Sequence, residues 1–367
     1  MDKLFCGIYK NRRVLVTGHT GFKGSWLTCW LLSLGANVMG YSLAPETNPN
    51  HFMLLAPDIK SVISDIRDVK NLNKAFEDFK PEIVFHLAAQ PLVRLSYKLP
   101  LETFNTNVMG TANVLEACRR SDSVRAVINI TSDKCYENRE WLWGYRENDP
   151  MGGHDPYSAS KGCAELVTAS YRNSFFNLNS FNKKHKILVA SARAGNVIGG
   201  GDWAKDRIVA DIIRSTHKDT ALKIRNPNAT RPWQHVLDPL SGYLLLGQKL
   251  LQEKEEFADA WNFGPNDDGN ITVLEIVSLI EKAWKKINYK IETNTNNPHE
   301  AISLKLDCSK ARTKLGWRNV WETELTIEKT TQWYQCFYEQ KKLITNIQIK
   351  EYIKKAINNR LAWAVTS

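Results

Sequence analysis

Two side chains four residues apart could carry proton-transfer chemistry. Tyr157 and Lys161 stand in the stretch Tyr-Ser-Ala-Ser-Lys, and on a helix this spacing places both side chains on one face. A tyrosine with its ordinary pKa of ~10 is a poor base at neutral pH, but a neighbouring ammonium stabilises the phenolate and lowers that pKa. The pair predicts a general base at Tyr157 that is assisted by Lys161; the alternative is a pair of side chains on a surface helix.

A second group of candidate residues follows an apolar run. The run Arg125–Ile130 reads as a strand, and Thr131-Ser-Asp-Lys comes directly after it. Ser132 could hydrogen-bond a substrate oxygen, while Asp133 could act as an acid and Lys134 as a base. Open α/β sheets bind ligands at the carboxyl ends of their strands. The sequence therefore predicts the reaction centre here; the alternative is a solvated Asp-Lys turn.

Three equally spaced glycines, Gly18, Gly21 and Gly24, lie between a predicted strand at Val14–Thr17 and a predicted helix at Lys23–Leu34. In a dinucleotide-binding loop, the first glycine permits the tight turn and the second lets the backbone approach the pyrophosphate. The third lets the helix pack on the sheet. The N-terminus of the helix then offers free N–H groups to the phosphates. The stretch predicts a dinucleotide site; the alternative is a glycine-rich turn.

The residues that would hold the adenosine ribose do not identify the cofactor. An acidic residue at the end of the second strand usually binds the ribose of NAD, but that place is taken by Tyr41-Ser-Leu. The nearest acid, Glu46, follows Pro45, and no arginine stands there to favour NADP. This position leaves the choice between NAD and NADP open.

The elements that must position these residues alternate through the first half of the chain. Strands are predicted at 14–17, 37–42, 61–64, 82–87 and 125–130, and helices at 23–34, 69–79 and 103–121. In the second half, helices are predicted at 157–176, 207–216, 239–251, 273–286 and 324–341, with a strand at 186–191. The alternation predicts an α/β fold with a Rossmann-type, doubly wound parallel sheet.

The same pattern predicts how the chain divides. Residues 1–193 would form the dinucleotide-binding domain, and segments of about 232–265 would return to it. Residues 194–342 would form mainly a smaller, mostly helical substrate-binding lobe. Residues 343–367 are basic and predict a solvated surface helix; the alternative is a tail that docks on a partner or an acidic surface.

Composition limits the class of function. The 367 residues carry a net charge of +10, but the basic residues form no long block, so small polyanions such as sugar nucleotides are favoured over nucleic acid. No signal peptide and no apolar run long enough to span a membrane is evident. Seven scattered cysteines without a CxxC pair indicate neither a metal site nor a disulfide framework. We therefore expect a cytoplasmic protein with no metal, no membrane contact and no nucleic-acid partner.

Six stretches of the chain resemble the CDP-glucose 4,6-dehydratases, a branch of the extended short-chain dehydrogenase/reductase superfamily. They are VLVTGHTGFKGSWL, FHLAAQPLVRLSY, TSDKCYEN, DPYSASK, ARAGNVIGGGDWAKDRIVAD and RPWQHVLDPLSGYL. Together they touch most of residues 13–245, and the tail after about residue 343 carries none of the resemblance. The related dTDP-glucose dehydratases carry glutamate in place of Lys134.

The resemblance implies conversion of CDP-glucose to CDP-4-keto-6-deoxyglucose and water, a step in making deoxysugars for surface polysaccharide such as O-antigen. NAD would take the hydride from C4 and return it to C6. Tyr157 would remove the proton of the 4-hydroxyl, and Ser132 and Lys161 would complete the catalytic group. Lys134 would remove the C5 proton, and Asp133 would protonate the leaving 6-hydroxyl.

The resemblance also implies binding residues and an assembly. NAD would be held by Gly18, His19, Gly21, Phe22, Lys23, Gly24, Asp65, Ile66, Ala88, Ala89, Gln90, Tyr157 and Lys161. CDP-glucose would be held by Asn196, Asp202, Trp203, Arg207, Arg231 and His235. Arg231 suits a pyrophosphate because its planar fork donates two hydrogen bonds, although it could instead pair with Asp238. A homodimer built on the helices at 103–121 and 157–176, or a homotetramer, would follow.

Two other functions fit part of the sequence. A sugar-nucleotide 4-epimerase would share the fold, Ser132, Tyr157 and Lys161, but it needs no acid and base for C5 and C6, so Asp133 and Lys134 argue against it. A non-catalytic NAD-sensing protein would not need an intact set of catalytic side chains.

Overall fold

The computed structural model of the chain describes residues 3–218, 220–224, 226–266, 269–291 and 304–365. Its strands are β1 (Arg13–Thr17), β2 (Asn37–Ser42), β3 (Lys60–Ile63), β4 (Ile83–His86), β5 (Ala126–Ile130), β6 (Leu188–Ala194), β7 (Val197–Ile198), β8 (Leu222–Ile224), β9 (Thr230–Pro232), β10 (Gln234–His235), β11 (Ala260–Phe263), β12 (Asn270–Thr272) and β13 (Tyr289–Ile291). Seven of these form one sheet in the order β11-β6-β5-β4-β1-β2-β3, and all its pairs are parallel. The predicted Rossmann-type sheet is confirmed.

The helices flank the sheet and extend the second half of the chain. They are α1 (Phe22–Ser33), α2 (His51–Leu55), α3 (Val69–Phe79), α4 (Val93–Lys98), α5 (Pro100–Phe104), α6 (Gly110–Arg120), α7 (Pro156–Ser174), α8 (Ile208–His217), α9 (Leu237–Leu251), α10 (Val273–Ala283), α11 (Thr323–Gln340) and α12 (Thr345–Asn358). A π-helical turn, Asn105–Met109, joins α5 to α6. Among the described helices, none combines the length and the apolar composition needed to cross a bilayer.

Burial on both faces explains the apolar character of the central strands. Val14 and Val16 of β1 face one core layer, which includes Trp26 and Trp30 of α1. Leu15, between them, faces the other layer, because successive side chains of a strand point to opposite faces. A parallel sheet covered by helices on both sides leaves no polar face. Polar chemistry is therefore confined to the strand ends.

The second half of the chain alternates between the sheet and a smaller lobe. Helix α9 contacts β5 and β6, and β11 adds to the sheet beside β6. The lobe contains α8, α10 and α11 together with the pairs β7–β10, β9–β12 and β8–β13. Its strands have only two or three residues, so they leave no periodic signal in the sequence. The boundaries at residues 193 and 342 stay proposals.

The C-terminal segment does not form the solvated surface helix expected from its charge; that prediction is wrong. Helix α12 buries Ile349 and Tyr352, and the Tyr352 hydroxyl donates to Asp238 Oδ1 at 2.8 Å. Beyond the helix, the indole of Trp363 stacks on Phe5 with 5.0 Å between ring centroids. This apolar face was not recognised in the sequence, because charged residues lie between its apolar positions along the helix.

We predict that Trp363→Ala will destabilise the protein. Trp363 is only 1% exposed, so its removal should lower the free energy of unfolding by about 3–5 kcal/mol, measured by urea denaturation. Val365→Ala is the control, because Val365 is partly exposed in the same segment and should cost less than about 0.5 kcal/mol. Equal effects from the two variants would mean that the tail is not part of the cooperative fold.

Candidate active site

A cleft of about 650 Å³ runs along the carboxyl edge of the sheet, between the sheet and the smaller lobe. Its walls include most of the residues expected to bind or react, namely Gly18, Gly21, Phe22, Lys23, Gly24, Asp65, Ile66, Ala88, Ala89, Gln90, Ser132, Asp133, Lys134, Tyr157, Lys161, Asn196, Asp202, Trp203, Arg207 and Arg231. Residues as far apart in sequence as Gly18 and Arg231 thus line one cavity. This happens because parallel strands deliver their carboxyl ends to the same edge.

Two histidines expected in the cleft have their side chains in the core instead. The His19 ring is fully buried against Phe52, and its Nε2 lies 2.7 Å from Ser61 Oγ. The His235 ring is fully buried against Trp26 and Trp321. Burial lowers the pKa of His19 to about 4 and that of His235 to about 3, so both rings are neutral. Both rings support the packing of neighbouring elements, and neither residue lines the cleft. That His19 binds NAD and His235 binds CDP-glucose stays a prediction.

The glycine loop shows which of its glycines is required by the fold and which faces the cleft. Gly18 has a φ of +75°, and a Cβ there would lie 2.7 Å from the main-chain nitrogen of Ala88. A Cβ on Gly24 would collide with the carbonyl oxygen of Gly18. Gly21 meets only that oxygen, at 3.3 Å. Gly18 and Gly24 therefore allow the loop to fold, whereas Gly21 leaves backbone accessible at the start of α1.

The adenosine end of the cleft is formed without a ribose-binding carboxylate at the end of β2. Ser42 Oγ and Thr20 Oγ1 lie 2.9 Å apart there, so hydroxyls stand where an acid is usual. Asp65 is instead held by Arg67, whose Nη2 donates to Asp65 Oδ2 at 2.6 Å. Hydrogen bonds from the Arg67 guanidinium are the main reason that the pKa of Asp65 is lowered. Arg67 is a cleft residue that the sequence analysis did not single out.

The turn after β5 presents the predicted acid and base to the cleft. The Ser132 hydroxyl donates to Asp133 Oδ1 at 2.9 Å and accepts from the Lys134 main-chain N–H at 3.2 Å. Asp133 is 3% exposed, and burial raises its pKa against the opposing charge of Lys134. A buried carboxyl that favours its protonated form can donate a proton. Lys134 is partly exposed on the cleft wall.

Tyr157 and Lys161 share one face of α7, as predicted, but their electrostatics differ from the prediction. Burial raises the pKa of Tyr157 to about 12, and hydrogen bonding with Ser132 opposes this only in part. Burial lowers the pKa of Lys161 to about 8, and its Nζ donates to the Ile130 carbonyl at 3.5 Å. In the chain by itself the pKa of Tyr157 lies above its ordinary value, because desolvation of the phenolate dominates. The role expected of Lys161 in lowering this pKa stays a prediction.

The segment after β6 carries paired charges on the cleft wall. Below, the Ser132–Lys134 turn after β5 is called the catalytic turn. Arg207 Nη1 donates to Asp202 Oδ2 at 2.6 Å, and the charge of Asp202 is the main reason that the pKa of Arg207 is raised. The Trp203 indole N–H donates to Tyr338 Oη at 3.0 Å, and most of the Trp203 side chain is buried. The main-chain carbonyl of Asn196 accepts from Gln234 N–H.

Arg231 and Asp238 belong to different surroundings. Arg231 lines the cleft, and its Nη1 donates to the Thr230 carbonyl at 2.8 Å. Asp238 Oδ1 accepts from the Val320 N–H at 2.8 Å and from Tyr352 on α12. The alternative of an Arg231–Asp238 ion pair is therefore wrong, and the guanidinium of Arg231 is directed to the same cavity as Asp133.

Comparisons with known proteins now identify the family. A family model described as GDP-mannose 4,6 dehydratase matches residues 15–330. The chain belongs to this family. A curated CDP-glucose 4,6-dehydratase from Salmonella typhimurium is 51% identical over 357 residues, which cover 96% of this chain and 98% of that protein. The resemblance to sugar-nucleotide dehydratases of the extended short-chain dehydrogenase/reductase superfamily is confirmed.

Solved structures agree on the fold of this dehydratase family member. An epimerase from Methanothermobacter thermautotrophicus superposes with a TM-score of 0.78 at 24% identity, covering 90% of this chain and 94% of that one. The UDP-glucuronic acid 4-epimerase from Bacillus cereus, solved with UDP-glucuronic acid and NAD, has a TM-score of 0.76 at 24% identity, covering 89% and 100%. At this identity, the similarity establishes the fold alone.

Two further residues of this family member are placed at the site by the structure. Asn107, inside the π-helical turn, donates to Ser160 Oγ at 2.8 Å and accepts from the Gln90 N–H at 2.8 Å. It thereby ties the cofactor-side loop to α7. Arg94 of α4 lines the cleft and lies 3.7 Å from Asp206 across it. A π-helical turn has no recognisable sequence pattern, and α4 was not predicted, so neither residue could be singled out beforehand.

Lys23, on the cleft wall, has a pKa far below that of an ordinary lysine. Its pKa falls to about 7 because burial and the positive charges of Arg207 and Lys161 outweigh Asp133 and Asp202. In the unfolded chain a lysine titrates near ~10.4. Between these values the unfolded chain binds more protons than the folded one, so Lys23 makes stability rise with pH from about 7 to about 10.

We predict that Lys23→Met will remove this dependence. The variant should gain more stability over the parent at about pH 6 than at about pH 9, because the partly exposed Lys23 is charged in the folded protein at the lower pH and neutral at the higher one. Urea denaturation at both pH values measures the difference. Lys205→Met, at an exposed lysine that does not line the cleft, serves as the control for the loss of one positive charge. An identical gain at both pH values for Lys23→Met would contradict the lowered pKa.

Proposed function

We propose that the protein is an NAD-dependent CDP-glucose 4,6-dehydratase, a hydro-lyase that forms CDP-4-keto-6-deoxyglucose and water in deoxysugar biosynthesis for surface polysaccharide such as O-antigen. The observation that carries the proposal is the buried Asp133 beside Lys134 on the cleft wall that also holds Tyr157. Elimination of water needs an acid and a base beside the group that starts the oxidation. The 51% identity to the Salmonella typhimurium enzyme supports CDP-glucose as the substrate.

The residues of the cleft fit NAD as the resident cofactor. Gly21 leaves accessible backbone at the N-terminus of α1, where unpaired N–H groups and the helix dipole favour a pyrophosphate. Asp65 and Ile66 line the adenosine end, and Gln90 and Lys161 line the path toward the reaction centre. When bound, NAD supplies a reversible hydride acceptor. We assign its binding mainly to residues 1–193 and that of the sugar nucleotide mainly to residues 194–342.

The first proton transfer is assigned to Tyr157. Its hydroxyl would take the proton of the sugar 4-hydroxyl while Ser132 hydrogen-bonds the same region of the substrate. Because burial raises the pKa of Tyr157 to about 12, the base needs positive charge beside it. The ammonium of Lys161 supplies such charge from the same helix face, and a nicotinamide cation would add to it. Oxidation at C4 then leaves a ketone.

The elimination is assigned to Lys134 and Asp133. The 4-ketone acidifies the C5 proton, and the neutral amine of Lys134 would remove it. Asp133, whose buried carboxyl has a raised pKa, would give its proton to the departing 6-hydroxyl, so that water leaves. A hydride returned to C6 and a proton returned to C5 by Lys134 would then complete the 4-keto-6-deoxy sugar. The two residues act in sequence on adjacent carbons.

The pyrophosphate of the substrate is assigned to the opposite wall. Arg207 and Arg231 line the cleft together with Asn196, and a guanidinium can donate two parallel hydrogen bonds to phosphate oxygens. Asp202 holds Arg207 in place through its 2.6 Å hydrogen bond, and the edge of Trp203 closes the wall beside it. The ring of His235 is buried in the core, and this residue does not line the cleft.

An epimerase is the second candidate, because solved structures of this fold include sugar-nucleotide epimerases. Both activities would use Ser132, Tyr157 and Lys161. Only the dehydratase reaction requires the additional acid and base, Asp133 and Lys134. A non-catalytic NAD-sensing protein would need neither set of residues in the cleft.

We also propose a homodimer or homotetramer in the cytoplasm. Large apolar side chains are exposed on the helices expected at the interface: Leu101 on α5, Met109 in the π-helical turn and Leu166 on α7. Their burial against a second copy would remove apolar area from water. All seven cysteines carry free thiols, which suits a reducing compartment.

The substrate assignment predicts selectivity among sugar nucleotides. Purified protein with NAD should form a 4-keto product, detected by its absorbance in alkali, from CDP-glucose and not at comparable rates from dTDP-, GDP- or UDP-glucose. Faster reaction with another nucleotide would replace CDP in the proposal. Interconversion at C4 without loss of water would favour the epimerase.

Lys134→Met separates the two halves of the proposed reaction. The variant should still oxidise C4, seen as a rise in NADH absorbance on adding CDP-glucose, because Tyr157 and Lys161 are unchanged. Elimination should slow by at least ~100-fold, the lower range for an acid–base group, and solvent deuterium should not enter C5. Lys205→Met provides a matched exchange outside the reaction centre. Parent rates of C5 exchange and water loss in Lys134→Met would show that another group is the base.

A further inference from the structure

A buried ion pair lies directly beneath the catalytic turn, and the reaction steps above do not use it. Glu165 stands one further helical step along the face of α7 that carries Tyr157 and Lys161. Its Oε2 accepts from Arg193 Nη2 at 2.8 Å, and the side chains of Glu165 and Arg193 are only 4% and 5% exposed. Ser191 Oγ donates to the same oxygen at 2.7 Å.

The ion pair holds the catalytic turn at both ends. At the start of the turn, the Thr131 hydroxyl donates to Glu165 Oε1. At its end, the Tyr136 hydroxyl accepts from Arg193 Nη1 at 2.6 Å, and the guanidinium carbon lies 5.0 Å from the centre of the Tyr136 ring. Ser132, Asp133 and Lys134 lie between these two anchor points. Main-chain hydrogen bonds also hold the turn, from Thr131 N–H to the Ala192 carbonyl at 2.9 Å and from Gly152 N–H to the Cys135 carbonyl at 2.8 Å. The ion pair adds a side-chain anchor at each end.

The pair also acts on Lys161 through its charge. Burial lowers the pKa of Lys161, and the carboxylate of Glu165 is the first of the groups that raise it again. Cys135, His86 and Lys23 also face Lys161, and Tyr157 shares its face of α7. Burial keeps the His86 ring neutral, and desolvation keeps Cys135 protonated. Glu165 is therefore the carboxylate that favours the ammonium form of Lys161.

We propose that Glu165 and Arg193 are positioning residues for the dehydratase reaction, which fix the Ser132–Lys134 turn against α7 and maintain the charge of Lys161. The inference rests on the proposed function. Neither side chain lines the cleft, so the pair acts through Thr131, Tyr136 and Lys161 rather than on the substrate. A misplacement of about 1 Å at the turn is enough to lower turnover by about 100-fold.

The first test removes both charges together. Replacing a buried ion pair by apolar side chains of similar volume often preserves stability, whereas removing one partner does not. Glu165→Met with Arg193→Met should therefore fold, with an unfolding midpoint in urea near that of the parent. Its kcat on CDP-glucose should fall by about 100-fold, while its KM changes by less than about threefold. A folded double variant with the parent kcat would overturn the proposal.

A milder pair of variants decides the matter if the double variant does not fold. Thr131→Val removes one anchor and keeps the ion pair. Thr168→Val makes the same exchange on α7 at a fully buried threonine that contacts Asn129 instead of the turn. Thr131→Val should lower kcat by at least about tenfold, and Thr168→Val should leave kcat unchanged at a similar cost in stability. Equal effects of the two variants on kcat would mean that the network only stabilises the fold.

The pH profile gives a readout that a purely structural role would not change. In Glu165→Gln, loss of the negative charge should lower the pKa of Lys161 further, so the alkaline limb of kcat should move to lower pH. An unmoved limb would overturn the electrostatic part of the proposal. Failure of the parent to convert CDP-glucose would refute the proposed function and this inference with it, whereas an active parent beside an equally active double variant would refute the positioning role alone.

Discussion

Burial of a parallel sheet on both faces is the constraint on which the rest of this molecule depends. Each central strand must be apolar along its length, so side chains that do chemistry can stand only where strands end. The turn after β5, the glycine loop after β1 and the segment after β6 all meet this requirement at one edge. The smaller lobe covers that edge and converts it into a cleft. The location of the site follows from the fold before any particular residue is considered.

Burial then sets the electrostatic character of the site. Desolvation favours neutral forms, which raises the pKa values of Tyr157 and Asp133 and lowers those of Lys23 and Lys161. A neutral acid at Asp133 is useful for protonating a leaving group. A protonated phenol at Tyr157 is not useful as a base, so the site depends on positive charge brought close to it. Desolvation keeps Tyr157 protonated in the protein alone. In the same water-poor site, the positive charge of a bound cofactor would lower the pKa of Tyr157 strongly.

The supporting structure extends far beyond the cleft. Helix α12 and the segment after it close the core around α1 and α9, through Tyr352, Asp238 and the stacked rings of Trp363 and Phe5. Helix α1 carries the start of the proposed cofactor site at its N-terminus. A C-terminal segment that carries none of the quoted motifs thus stabilises the element on which the glycine loop depends. The match to the Salmonella typhimurium enzyme, which covers 96% of the chain, extends into this segment.

The sequence by itself determined the bounds of elements with strong hydrophobic periodicity. It also determined the residues whose type and spacing are typical of a catalytic motif. The second strand, Asn37–Ser42, and the helix at Val69–Phe79 are found at the predicted bounds, and Ser132, Asp133, Lys134, Tyr157 and Lys161 meet in one cavity. Motifs of this kind are local, so spacing and residue type are enough to recognise them. Only the tertiary structure decided what depends on distant neighbours. His19 and His235 are core rings because aromatic residues from other elements surround them, and the pKa of Tyr157 rises because the fold removes water from it.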